Sequence, residues 1–220
     1  MDGLDAPFVW HSYDVRPILP DDWQQKLVDI ALNNAHNKTL IPCSVTSREA
    51  AEVEGVPVST VGGETLRILA PWLFQLYANE FRELAERIAD EPVVTATRDK
   101  VAVNLNVQRG RSMRYEAHVD SNPVEGLLYI TSHPAGSGGE LVVAQSDHAI
   151  GVEEIDKLPA VIFPVAGHLV FFDARRHSHY VRSLSSDDGI RIVAAMNFYT
   201  TSCPESARPP DLDSHLFGED

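Results

Sequence analysis

The chain has 220 residues, 44% of them hydrophobic, and a formal net charge of -14. That length and apolar share are enough for one sizeable core. The acidic excess speaks against nucleic acid and against an anionic membrane surface, both of which need a basic footprint, and suits a cationic or zwitterionic small molecule better. Two cysteines, Cys43 and Cys203, are too few for a disulfide framework and neither belongs to a CxxC pair. The segment from Met1 to Pro20 lacks the apolar centre of a secretory signal, and no apolar run approaches membrane-spanning length, so a reducing cytoplasm is the expected setting.

Along the chain, Phe8 to Val15 alternates loosely and is expected to form a first strand. From Asp21, DDWQQKLVDIALNNA opens with acids suited to a helix N-terminus and puts Trp23, Leu27, Ile30 and Ala31 on one face. His36 to Val61, with Pro42, Gly55 and Pro57, reads as a long connecting loop. A helical stretch follows Gly62 and Gly63 and runs to Asp90. Its apolar stripe of Leu66, Leu69, Leu73, Leu76, Tyr77, Phe81, Leu84 and Ile88 is that of a helix braced on a core, broken or kinked at Pro71.

After Pro92 the apolar period changes to two. VVTAT, VAVNLNVQ, ELVVA, AVIFPV, HLVFFD, HYVRSL and GIRIVAAMNFYT are short runs separated by Gly, Pro and Asp turns with no helical pattern between them, which predicts an antiparallel sandwich or barrel. The expected organisation is a single domain over 1–220. Residues 1–91 would supply a strand and supporting helices, 92–202 a β core, and 203–220 a tail able to act as a lid. In VAVNLNVQ, Val101, Val103, Leu105 and Val107 share the face turned to the helix. Asn104, Asn106 and Gln108 share the other, as Arg114, Glu116, His118 and Asp120 do in the next strand.

Those polar faces carry the chemistry. His118 and Asp120 stand two apart in MRYEAHVDSNPVEGLLYIT, so in a strand both point to one side and can grip one metal ion. FFDARRHSHYVRSL offers His177 and His179, either of which completes a two-His-one-carboxylate facial triad, the set that holds Fe(II) and leaves three sites open. Downstream, Arg191 can hold an acidic co-substrate through a bidentate, charge-assisted pair.

The ordered set His118-Val119-Asp120, Leu127 to Thr131, Gly138 to Leu141, Gly167 to Asp173, His179-Tyr180-Val181 and Arg191 resembles the Fe(II)/2-oxoglutarate-dependent dioxygenases. More loosely, RYEAHVDSNP, HYVRSL and PPDLDSHLFG are similar to small bacterial enzymes that hydroxylate or halogenate free amino acids. The resemblance implies a mainly β, α+β architecture, a double-stranded β-helix (jelly-roll, cupin-like) barrel with N-terminal supporting helices. It implies His118, Asp120 and His179 as iron ligands, with Arg191 on the distal carboxylate of 2-oxoglutarate and Tyr129 and Thr131 as further contacts to it. It also implies O2 as co-substrate and hydroxylation of an unactivated C–H bond of a free amino acid or similar small metabolite, 2-oxoglutarate leaving as succinate and CO2.

Relatives that halogenate carry Gly or Ala in place of the carboxylate, so an intact Asp120 implies hydroxylation, desaturation or ring closure. Asn104, Asn106, Arg114, Glu116 and Asn197 are the candidates for clamping the amine and carboxylate of such a substrate. One departure stands out: many members place a Tyr in the strand before the H-x-D pair, where this chain has NVQRG. Two other readings stay open. One is a prolyl-hydroxylase-like enzyme acting on a protein side chain; the other is a cupin-like metal-binding or isomerase domain without oxygen chemistry, which would have no use for Arg191 as a carboxylate anchor.

Overall fold

Alternating apolar and polar residues become strands through most of the C-terminal half, and the computed structural model describes residues 8–40, 46–49, 55–210 and 212. The elements in order are β1 (Trp10–Asp14), α1 (Trp23–Asn34), β2 (His36–Leu40), β3 (Val56–Val61), α2 (Gly63–Leu69), α3 (Pro71–Leu76), α4 (Arg82–Ala85) and β4 (Val93–Thr95). There follow α5 (Asp99–Ala102), β5 (Val103–Arg109), β6 (Tyr115–His118), β7 (Val124–Tyr129), β8 (Leu141–Ala144), α6 (Val152–Ile155), β9 (Pro159–Ile162), β10 (His168–Phe172), β11 (His179–Val181) and β12 (Ile190–Thr200).

They make two antiparallel sheets. The larger runs β1-β10-β7-β12-β5-β3-β2, with β4 paired to the far end of β12, and the smaller runs β6-β11-β8-β9. The architecture is mainly β with supporting helices, as expected. The expected closure into a barrel is corrected: among the described residues no strand ladder joins the two sheets, which face each other through side chains.

The helices cover the outer face of the large sheet. Leu27 and Ile30 of α1, Leu66 of α2, and Leu73 and Phe74 of α3 pack on Val103, Leu105, Leu128, Ile192, Met196 and Phe198 in one buried cluster. Each such large apolar side chain contributes roughly 1.5–3 kcal/mol by leaving water. Pro71 opens α3 and separates it from α2, because its ring cannot continue the preceding turn. Between the sheets, Leu127, Tyr129, Val170, Phe172 and Val193 meet Leu141, Val143, Ile162 and Val181.

Two expectations about segments are corrected. The stretch 36–61, expected as a loop, contains the β2–β3 hairpin, which extends the large sheet through Ser59 to Val61 against β5. Pro57 lies ahead of the part of β3 that pairs with β5, so its missing N–H leaves no gap in that ladder. Pro42 lies outside the described residues. The strand expected from Val101 starts at Val103, because Val101 and Ala102 close a helical turn on the Arg98 carbonyl.

Candidate metal centre

β6 lies against β11 with His118 directly opposite His179, and Asp120 follows in the connection to β7, where its N–H donates to the Ala174 carbonyl at 2.9 Å. The two imidazole centroids are 4.4 Å apart. Nδ1 of His118 is held by the Glu116 carbonyl at 2.7 Å and Nδ1 of His179 by the His177 carbonyl at 3.1 Å. In the neutral imidazoles a proton on Nδ1 would leave Nε2 free for a metal ion, and both Nε2 atoms face the Asp120 carboxylate at 3.5 Å, one to each oxygen. One ligand atom from each of the three residues falls within a 4.8 Å set that can hold a metal ion. His177 is not part of it. Its ring is buried edge-on to Phe8, and its Nδ1 contacts the Ala144 carbonyl at 3.0 Å.

The electrostatics of the cluster suit a cation. Burial would depress the His118 imidazole, but the hydrogen bond and charge of Asp120 outweigh it and raise its pKa to about 9. Burial would likewise raise Asp120, yet the two imidazoles hold its carboxyl well below the usual carboxylate range.

A cavity of about 90 Å³ joins this triad to Arg191. Arg191 is 1% exposed, donates from Nε to the Gly139 carbonyl at 2.8 Å and lies 5.5 Å from the Tyr129 ring centre. Burial lowers its pKa, opposed by Tyr129 and Tyr115. The hydroxyls of Tyr115 and Tyr129 are both buried without a hydrogen-bond partner. A buried guanidinium with unsatisfied tyrosine hydroxyls nearby can receive a carboxylate-sized anion. Thr131 lies on neither cavity wall; its Oγ1 accepts from the Ile192 N–H at 3.0 Å and braces the start of β12.

A wider cavity of about 160 Å³ opens on the other side of the triad. Asn104, Asn106, Glu116 and Asn197 line it. Asn104 also takes the Gly63 N–H at 3.1 Å, and Asn197 donates to the Val101 carbonyl at 2.6 Å, so both tie the sheet to the helices. Arg114 is turned away from the cavity onto Glu49, at 2.6 Å.

Two lining residues went unnoticed in the sequence. Tyr115 stands three before His118, the wrong parity for a shared face, but β6 has one extra residue where β11 runs from His179 to Val181, and this bulge turns Tyr115 inward. The cavity therefore has a tyrosine on its wall, on the strand of the H-x-D pair itself and not on the strand before it. Glu125 was passed over inside the apolar run VEGLLYI, where a lone acid was itself the available signal.

Fold and site together define a jelly-roll protein with a His-Asp-His cluster able to hold a metal ion. No family model matches the chain, and no curated protein sequence does either. Solved structures do. An oxidoreductase of the 2OG-Fe(II) oxygenase family from Burkholderia pseudomallei is similar with a TM-score of 0.58 at 11% identity, over 86% of this chain and 84% of its own. HygX from Streptomyces hygroscopicus, with nickel, 2-oxoglutarate and hygromycin B bound, is similar with a TM-score of 0.59 at 10% identity, over 89% of this chain and 84% of its own. A prolyl hydroxylase from Trichoplax adhaerens, in complex with a hypoxia inducible factor oxygen degradation domain peptide fragment, reaches 0.53 at 15% identity, over 88% of this chain and 84% of its own. The chain therefore has the jelly-roll fold found in 2OG-Fe(II) oxygenases. Among the described residues no helix is long and apolar enough to cross a membrane.

Proposed function

We propose that the protein is a non-haem Fe(II)/2-oxoglutarate-dependent oxygenase that hydroxylates an unactivated C–H bond of a small polar metabolite, a free amino acid or a relative of one. The observation that carries this reading is the meeting, in one cavity, of the His118–Asp120–His179 cluster with buried Arg191 and the unsatisfied hydroxyl of Tyr115, with Tyr129 packed behind Arg191 and outside the cavity wall. These residues fit both groups: two imidazoles and a carboxylate suit ferrous iron, and a guanidinium with a hydroxyl donor suits the distal carboxylate of 2-oxoglutarate. When bound, iron and 2-oxoglutarate supply the activation of O2 and the oxidation of the C–H bond, with succinate and CO2 as products.

The chain's own part is positional. The backbone carbonyls of Glu116 and His177 fix the imidazoles, so no ligand has to reorient on metal binding. Phe172, Leu127 and Val193 wall the inner cavity with apolar surface and keep bulk water from it. Asp120 fills the third protein position of the triad, which favours hydroxylation over halogenation. Arg208 and Leu212 on the wall of the wider cavity support a lid role for the tail 203–220.

A prolyl-hydroxylase-like action on a protein side chain is the second reading, favoured by the peptide-bound neighbour; a cavity of about 160 Å³ suits a free small molecule better. A cupin-like isomerase gives no reason to bury Arg191. Adding 2-oxoglutarate to the anaerobic Fe(II) protein should produce the weak visible absorption of the chelate, and succinate release across a metabolite library should then single out the substrate. Iron-loaded protein that develops no such absorption overturns the reading.

A further inference from the structure

Backbone register places Glu125, Leu127 and Tyr129 on the inner face of β7, and Arg191, Val193, Ala195 and Asn197 on the inner face of β12, with Asn197 opposite Glu125 and Val193 opposite Tyr129. Arg191 and Asn197 are six residues apart on one strand, roughly 20 Å at the usual rise per residue. A cation thus stands at one end of this face and a carboxylate at the other. Glu125 lines both the inner and the wider cavity, as His118 and Asp120 do, so the metal cluster lies where the two meet.

Glu125 is 6% exposed. Its Oε2 accepts from the Asn122 amide at 2.9 Å, and that amide, on a residue itself 1% exposed, also donates to the Val124 carbonyl at 2.9 Å, which fixes it. Among the described residues no lysine or arginine forms an ion pair with Glu125. Arg208, on the same cavity wall, donates instead to the Ser121 and Tyr199 hydroxyls. Burial and the nearby Asp120 charge push the Glu125 carboxyl up, while the Asn122 hydrogen bond and the Arg208 charge pull the other way; a carboxyl so buried, held in place and not in an ion pair among the described residues is suited to a cationic ligand.

We propose that Glu125 anchors a protonated amine of the primary substrate, and that the substrate class is small aliphatic ammonium compounds. This rests on the oxygenase reading for what happens next but not for the binding itself. Glu125, His118 and Asp120 line the wider cavity and Arg191 does not, so an ammonium group held on Glu125 can present its carbon chain to the cluster from that cavity. The net charge of -14 adds a long-range attraction for the same sign of ligand.

The test uses nickel-loaded protein with 2-oxoglutarate in about 0.15 M salt, where surface attraction is screened within about 8 Å. Butylammonium, butyrate and butan-1-ol are titrated by ligand-observed NMR. Butylammonium should bind at least about tenfold more tightly than the other two, the range of a charge-assisted hydrogen bond. Glu125→Gln should erase that preference while the anaerobic Fe(II)–2-oxoglutarate absorption stays intact. Glu125→Asp keeps the charge, so the preference for butylammonium over butyrate and butan-1-ol should survive in it; this variant carries the test if the Gln form does not fold, and loss of the preference in a folded Glu125→Asp protein would count against the proposal. Equal binding of the three probes, or a preference that survives in Glu125→Gln, overturns the proposal. Loss of the absorption band in unaltered protein would count against the oxygenase reading alone.

Discussion

Tyr115 and His118, three residues apart, respond to their ligands in opposite senses. The Tyr115 hydroxyl is buried with no partner, so the ligand-free protein gains nothing from it. Tyr115→Phe should leave the ligand-free stability unchanged or raise it by about 1 kcal/mol, while weakening 2-oxoglutarate about tenfold and sparing metal affinity. Denaturant midpoints without ligand, set beside 2-oxoglutarate titrations of the Fe(II) chelate, check both signs. His118 works the other way. Its metal-free pKa of about 9 lies above the ordinary 6.5, so the imidazole holds a proton that the metal must displace. Apparent metal affinity should fall about tenfold per pH unit below about 9 and level off above it. The same raised value stabilises the metal-free fold fully below 6.5, and that contribution is lost as pH rises through about 9. The depressed Asp120 contributes above 3.8 and loses its share only as pH falls through its lowered value. Metal-free protein is thus steadiest on the acid side of neutrality, where metal binds least well; competition titrations and urea curves at matched pH measure the two trends.

At the scale of elements, what was legible in the sequence followed its periodicity. The stripe Trp23, Leu27, Ile30 and Ala31 is the buried face of α1, and the alternation after Pro92 became the strands of both sheets. The β2–β3 hairpin was missed because His36 to Leu40 is mostly polar and exposed, an edge strand without an apolar face, and Pro57 argued against its partner. Tyr115 was missed for a related reason: a bulge shifts parity by one, and nothing local in RYEAH announces it. Glycine at 63 marks a contact no periodicity could reveal. A Cβ there would sit 1.8 Å from the Asp99 carbonyl oxygen and 2.8 Å from that of Val103, so α2 and the α5–β5 junction touch backbone to backbone. Gly63→Ala should therefore destabilise the protein by about 3 kcal/mol, the upper range for overpacking, because rigid backbone rather than a side chain must yield. It should also disturb Asn104, which accepts the Gly63 N–H. A urea midpoint well below that of the parent protein is the expected outcome, and an unchanged midpoint would mean that α2 is free to move.

For the whole molecule, the division of labour between the two sheets sets how ligands act on stability. His118 and His179 belong to the small sheet, Arg191 and Tyr129 to the large one, and Asp120 to the chain that passes between them. With no strand ladder joining the sheets among the described residues, they are held by the apolar layer around Leu127, Phe172, Leu141 and Val143. A metal ion alone ties the small sheet to the Asp120 connection. A chelating dicarboxylate that reaches from the metal to Arg191 ties one sheet to the other, so its stabilisation should depend on the metal being present. At about 100 times its dissociation constant a ligand adds about 2.7 kcal/mol to the folded state, and about 1 kcal/mol moves the melting point of a chain this size by roughly 2–4 °C. Nickel with saturating 2-oxoglutarate should thus raise Tm by roughly 5–10 °C beyond nickel alone, whereas 2-oxoglutarate without metal should raise it far less. Arg191→Gln should remove the added increment and keep the nickel increment, because it cuts the bridge at the large sheet and leaves the three ligands in place. Thermal melts of the two proteins under these three conditions decide it: an increment from 2-oxoglutarate of equal size with and without nickel would mean that the dicarboxylate binds somewhere other than across the gap.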